Sequence, residues 1–227
     1  IPDFSTLSHF LKKLSLRLLR LIDAAIQRLL PAFAEVIVDS TGFECSHPSH
    51  YFCQRIDSPY PSDGFVTLFA AVDRERGFIR ASSTRTRKVH DSKMFKTLIR
   101  KLLTKPSKCY ADRGFDSEEN YRFLIEEIKC FPFILQKNML KPVQTCTGAY
   151  RAAIREIFDY GEYLKRNKIE GVNSSLKTRY GCALSTRALR NQHKELLIKV
   201  IIYNLERKLR MTIVIIISRR RSYQKDR

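Results

Sequence analysis

Glu35-Val36-Ile37-Val38-Asp39-Ser40-Thr41-Gly42 is the stretch on which the fold turns. A short, β-branched apolar run closed by an acid and a glycine-containing turn has the pattern of a buried strand that ends in a carboxylate. The same grammar returns in Cys109-Tyr110-Ala111-Asp112-Arg113-Gly114-Phe115. An isolated acid at a strand end more often fixes its own turn than does chemistry, so Asp39 gains meaning only from partners.

Working outward, segments 51–57, 65–72 and 78–84 read as further strands separated by Pro59-Tyr60-Pro61-Ser62-Asp63-Gly64 and Arg74-Glu75-Arg76-Gly77, which predicts an antiparallel meander. Phe131-Pro132-Phe133-Ile134-Leu135 predicts one more strand, at a sheet edge because proline cannot donate to a ladder. Helical spacing marks residues 5–30, with Leu7, Leu11, Leu14, Leu18, Leu21, Ala25 and Leu29 on one stripe and Pro31 as its stop. That helix is expected to pack on the main domain, or to serve as an arm for dimerisation or for DNA ends. A long helix after Tyr180-Gly181 carries Leu189, Leu196, Leu197, Val200, Ile201, Leu205 and Leu209 as its core face. Strands alternating with helices give an α/β chain: a helical segment over 1–32, a main domain over 33–210, and an apolar then basic, disordered tail over 211–227.

Two acids find structural work in this reading. Asp91, with Ser92, is placed to cap the helix of Met94, Phe95, Leu98 and Ile99, and Asp116 with Glu119 three residues on suits a capping box. Asp112 is left without such a duty. A third carboxylate, Glu170, lies in Tyr163-Leu164-Lys165-Arg166-Asn167-Lys168-Ile169-Glu170 and the residues to Lys177. As a helix at about 100° per residue, this stretch brings Tyr163, Arg166, Glu170 and Lys177 within an arc of roughly 60°.

The charge points to a polyanion. The 227 residues carry 42 Lys and Arg against 23 Asp and Glu, a formal +19, and an excess of that size suits nucleic acid, although membranes and ribosomes also attract basic chains. Between Arg80 and Lys108 stand ten basic residues and the single acid Asp91, which reads as a phosphate-tracking surface. No apolar run approaches the ~20 residues that span a bilayer. The six cysteines form no Cys-x2-Cys pair and no secretory-type stretch precedes them, so reduced thiols in a cytoplasmic, nucleoid-associated protein are expected. Cys45, His47, His50 and Cys53 could be imagined around zinc, but their spacing is unlike a knuckle, and a surface hairpin is the preferred reading. The chain opens on Ile1, as a fragment or a processed protein would.

Strand-end Asp39 and Asp112 with helical Glu170 form a set able to hold two Mg²⁺ or Mn²⁺ ions, since hard cations take oxygen ligands and keep positions open for a phosphate. Tyr163, Arg166, Glu170 and Lys177 also match, without a gap, the Tyr-x2-Arg-x3-Glu-x6-Lys signature, and the chain resembles the DDE transposases of prokaryotic insertion sequences over roughly residues 33–209. Val-Asp-Ser-Thr-Gly-Phe around Asp39 and Ala-Asp-Arg-Gly-Phe-Asp around Asp112 are similar to that family's first two acids, and His90-Asp91-Ser92 to a further segment.

The resemblance implies an RNase H-like core, a mixed sheet with flanking helices. Only 57 residues separate Asp112 from Glu170, so no large insertion domain is expected there. It implies Asp39, Asp112 and Glu170 as metal ligands, Arg166 and Lys177 on DNA phosphates, and Tyr163 positioning the DNA end or stacking on a base. It further implies a homodimer on double-stranded DNA that cleaves at terminal inverted repeats and then transfers the freed strand to target DNA. The competing readings are a truncated, inactive DNA-binding remnant and a metal-dependent nuclease on the same fold.

Overall fold

A computed structural model describes residues 3–45, 65–86, 90–140, 142–186 and 188–225. The predicted strand at 51–57, and His47, His50 and Cys53 of the conceivable zinc set, lie outside these.

Two helices open the chain where one was predicted. α1 (Phe4–Lys13) and α2 (Leu16–Leu29) are parted at Ser15, whose extended backbone and side chain cap α2 by accepting from the Arg17 amide. β1 (Glu35–Cys45) follows, and is longer than its sequence suggested. Gly42 does not end it but pairs with Thr67 in an antiparallel ladder that runs from Val36 to Glu44 against β2 (Phe65–Asp73). With a full-length neighbour satisfying its backbone, the strand continues through the glycine.

β3 (Ile79–Arg85) pairs antiparallel with β2, which completes the meander. The chain then crosses through α3 (Asp91–Ile99) to β4 (Lys108–Ala111), parallel to β1 on its other side. α4 (Glu118–Arg122) and a π-helical turn (Phe123–Ile128) lead to β5 (Phe131–Ile134), parallel to β4 and at the sheet edge, as Pro132 requires. α5 (Ala149–Glu156), the single turn α6 (Tyr160–Tyr163), a 3₁₀ turn (Leu164–Asn167) and α7 (Lys168–Tyr180) come next. β6 (Ala183–Leu184) adds two residues beside the far end of β1, and α8 (Leu189–Lys225) closes the chain. Among the described residues this gives a six-stranded mixed sheet in the order β3-β2-β1-β4-β5, with β6 beside β1 and helices on both faces, an RNase H-like α/β architecture.

Alternation along β1 splits the core. Val36 and Val38 face α3 and α4 with Phe95, Leu98, Tyr121 and Leu124, whereas Ile37 and Phe43 face α7 and α8 with Ile169, Val172, Leu176, Leu196 and Val200. α2 packs Leu19, Ile26 and Leu30 on Phe78 and on Leu197 and Ile201 of α8. Leu189, Leu205 and Leu209, expected in the α8 core, are exposed. Helical backbone also continues through 211–225, where a disordered tail was predicted.

Asp116 departs from its reading as a cap. Ser117 caps α4 by accepting from Asn120, and the Asp116 carboxylate is buried in a bidentate pair with Arg151, Nε to Oδ1 at 2.9 Å and Nη2 to Oδ2 at 2.7 Å. It also accepts the Lys137 amide, so it ties α5 to the end of the sheet.

Candidate active site

Val38 stands opposite Ala111 in the parallel pair β1–β4, so Asp39 and Asp112 follow at the same level of neighbouring strands. β4 stops there while β1 runs on to Cys45, so the two acids stand at the carboxyl end of β4, where β1 has a parallel neighbour on one side and an antiparallel one on the other. Open α/β sheets bind ligands at such places.

Asp39 accepts from Asn173 Nδ2 of α7 at 3.1 Å. Burial pushes its carboxyl upward, the Ser40 amide and Arg166 work against that, and the charges of Asp112 and Asp91 add to it. Asp112 turns at the start of a 3₁₀ turn (Arg113–Phe115) and accepts the Arg113 amide at 2.7 Å. Glu170, in the first turn of α7, has a side chain that is 66% exposed.

Arg166 joins the set in a way the sequence did not suggest. Its Nη2 lies 3.8 Å from Asp112 Oδ1 and 3.9 Å from Glu170 Oε1, so the two carboxylates are no further apart than these contacts laid end to end. Read from sequence as a phosphate contact rather than a partner of Glu170, Arg166 here pairs with both acids.

The 3₁₀ turn Leu164–Asn167 lies between Tyr163 and Glu170, and across it Arg166 still touches both neighbours of the signature. Tyr163 is buried against Phe158 and Tyr160, with the Arg166 guanidinium 5.7 Å from its ring centre. In that position the ring steadies Arg166 and is not open for stacking on a base. Lys177 lies two turns along α7, its ammonium 5.6 Å from the centre of the Phe43 ring, which Lys199 approaches from 5.4 Å.

Asp91 is also placed differently from its reading as a cap. His90 occupies the cap position of α3 and Asp91 is the first helical residue, with its Oδ2 3.5 Å from Ser40 Oγ. A Cβ at Gly114 would stand 2.8 Å from the same oxygen. Asn173 is a neighbour that sequence reasoning missed, while Asp91 stood out in sequence through the His90-Asp91-Ser92 segment but was given only a capping duty.

Much of the basic run is committed to the fold. Arg80 is buried on Asp73 at 2.8 Å, Lys96 and Arg100 pair with Glu119 and Glu127, and Lys108 pairs with Glu162 at 2.9 Å. Lys101 and Lys105 donate to the carbonyls of Ser82 and Glu127. As a phosphate-tracking surface the run is therefore narrower than its charge implied.

The model of the family described as Transposase DDE domain matches residues 33–205. The chain belongs to this family of DDE transposases. No curated protein matches it. No helix among the described residues of this DDE transposase is long and apolar enough to cross a membrane.

Asp39, Asp112 and Glu170 offer carboxylate oxygens, the chemistry of a hard divalent cation. In the geometry described, no group of three or more His, Cys, Asp or Glu residues is gathered closely enough to hold one ion. Asp39 and Asp112 offer carboxylate oxygens at one level of neighbouring strands, and Glu170 shares the Arg166 Nη2 with Asp112.

Proposed function

We propose that this DDE transposase cuts DNA at the ends of a mobile element and transfers the freed strand into target DNA, with Asp39, Asp112 and Glu170 as the carboxylates that hold Mg²⁺ or Mn²⁺. The observation that carries the reading is the pair Asp39 and Asp112 at one level of two parallel strands, with the helix of Glu170 alongside. Two divalent ions, when bound, would activate the attacking oxygen and stabilise the leaving one.

The chain's own residues do the positioning. Asn173 orients the Asp39 carboxylate, and the Arg113 amide orients Asp112. Arg166, freed from Asp112 and Glu170, would meet a DNA phosphate beside the scissile one. Lys177, about 10 Å of helical rise from Glu170, would meet a neighbouring phosphate. Water attacks the phosphodiester first and releases a 3′-hydroxyl; that hydroxyl then attacks the target phosphodiester, and the displaced target oxygen leaves with a proton. A homodimer on double-stranded DNA would bring two ends together for this second step.

The test uses duplex DNA carrying the inverted repeats that flank the gene, with a supercoiled target, in Mg²⁺, in Mn²⁺ and in EDTA. Metal-dependent 3′-hydroxyl ends and joined products are expected. Cleavage without joining would mark a nuclease on this fold. Salt-sensitive binding with no cleavage in either metal would mark a DNA-binding remnant.

A further inference from the structure

We propose, on the footing of the function above, that a cationic cleft at the outer edge of β3 grips backbone phosphates of the DNA duplex, apart from the carboxylate centre. The cleft holds about 500 Å³ and is walled by α2, β3, the chain just past α3, and α8. α2 contributes Arg20 and Asp23, β3 contributes Thr84 and Arg85, the chain past α3 contributes Lys101, and α8 contributes His193.

These cations differ from their neighbours in lacking acids. Elsewhere in the basic run the fold supplies one: Arg80 has Asp73, Lys96 has Glu119, Arg100 has Glu127 and Lys108 has Glu162. Among the described residues Arg20, Arg85 and Lys101 form no ion pair, and Asp23, the carboxylate that lines the cleft, accepts from Gln27 at 3.3 Å. Lys101 uses one of its three N–H groups on the Ser82 carbonyl at 2.8 Å. The Thr84 hydroxyl meets His193 Nδ1. Desolvation, then the charges of Arg20 and Arg85, lower the Lys101 ammonium, with Asp23 acting the other way. Burial, then the same two guanidiniums, lower the His193 imidazole. With Arg80 balanced by Asp73, the cations Arg20, Arg85 and Lys101 outnumber Asp23. Guanidiniums match phosphate oxygens in geometry, an ammonium adds a point charge, and an anion among them relieves their mutual repulsion.

The strand register sets the cleft beside the acids. Asp39 stands opposite Ala70, and Ala70 opposite Ser82, so the carbonyl that anchors Lys101 is level with Asp39 at two strand spacings, roughly 10 Å. A DNA strand carries a phosphate every ~3.4 Å of axis, so a duplex engaged at Asp39 reaches the cleft within a few nucleotides. An added β-strand is a poorer occupant of this edge, because Asn204 and Gln27 already bond the backbone of Ile79.

The experiment is fluorescence anisotropy of the full chain on a labelled element-end duplex, in EDTA and across a range of NaCl. Wild type, Arg20→Gln, Arg85→Gln and Asp23→Asn are compared with Arg122→Gln, an equal loss of charge at an exposed position of α4. Arg20→Gln and Arg85→Gln should melt as wild type, bind more weakly, and each reduce the steepness of log affinity against log salt by about 0.9. Asp23→Asn should bind more tightly, because it removes a charge that repels the phosphate. Wild-type slopes in both arginine variants overturn the proposal, and metal-dependent cleavage by wild type then leaves the function above standing. An equal loss of slope in Arg122→Gln would reduce the effect to net charge and also overturn it. If inorganic phosphate raises the melting temperature through Arg20 and Arg85 while the DNA slopes are unchanged, the cleft is a site for free phosphate and the DNA proposal falls. If wild type does not bind the duplex, the function above falls and the proposal falls with it.

Discussion

Arg166 bridges Asp112 to Glu170 from a single nitrogen, Nη2, which lies 3.8 Å from Asp112 Oδ1. Contacts of that length at a partly exposed site are weak, roughly 0 to 1 kcal/mol. Arg166→Ala should therefore change the melting temperature little and leave Mn²⁺ affinity undiminished, while DNA cleavage falls sharply. Weaker Mn²⁺ binding in that variant would show that the bridge organises the acids instead of standing in for a cation.

The Asp116–Arg151 pair is the opposite case. The carboxylate side chain is 1% exposed and the guanidinium 15%, with both nitrogens bonded. Removing one partner leaves a buried charge, so Asp116→Ala or Arg151→Ala should cost about 3 to 5 kcal/mol in urea unfolding. The double variant should recover part of that loss.

Tyr163→Phe and Tyr163→Ala separate packing from chemistry. The ring fills a buried site against Phe158 and Tyr160, so Tyr163→Ala should cost about 3 to 5 kcal/mol. Tyr163→Phe should fold as wild type, and any loss of cleavage in it reports the hydroxyl beside Arg166. A base-stacking role would instead appear as weakened DNA binding in a fully folded Tyr163→Ala.

Glu162 predicts the acid limb of stability. Lys165, Tyr110 and Lys108 donate to its carboxylate and hold it down to about 2, from an ordinary 4.5. A depressed folded value stabilises the fold above the unfolded value, and that stability is lost as pH falls from about 4.5 through about 2. Glu162→Gln should be less stable at neutral pH and should flatten the melting curve across that acid window. An unchanged acid limb would show that the cluster contributes little.

What the sequence made legible was local. The runs ending in Asp39 and Asp112 carry their strand character in a few consecutive residues, and Pro132 placed β5 at an edge without knowledge of its neighbours. Asp91 and Asp116 were misread for a common reason. Each has a plausible local duty at a helix start, and only the packing of α3 against β1, or of α5 against the sheet end, reveals the other partner. The burial of Tyr163 was hidden by a 3₁₀ turn that helical periodicity does not anticipate. Pairing consumed the basic run for similar reasons, since Glu119, Glu127 and Glu162 are distant in sequence.

The central claim is that Asp39, Asp112 and Glu170 act as one metal-dependent centre on DNA. Single-turnover cleavage of the element-end duplex in Mg²⁺ tests it most directly, with wild type, Asp39→Asn, Asp112→Asn and Glu170→Gln run beside a DNA-binding assay. The account predicts that each substitution abolishes cleavage while DNA binding persists. Wild-type cleavage in any one of the three would contradict it.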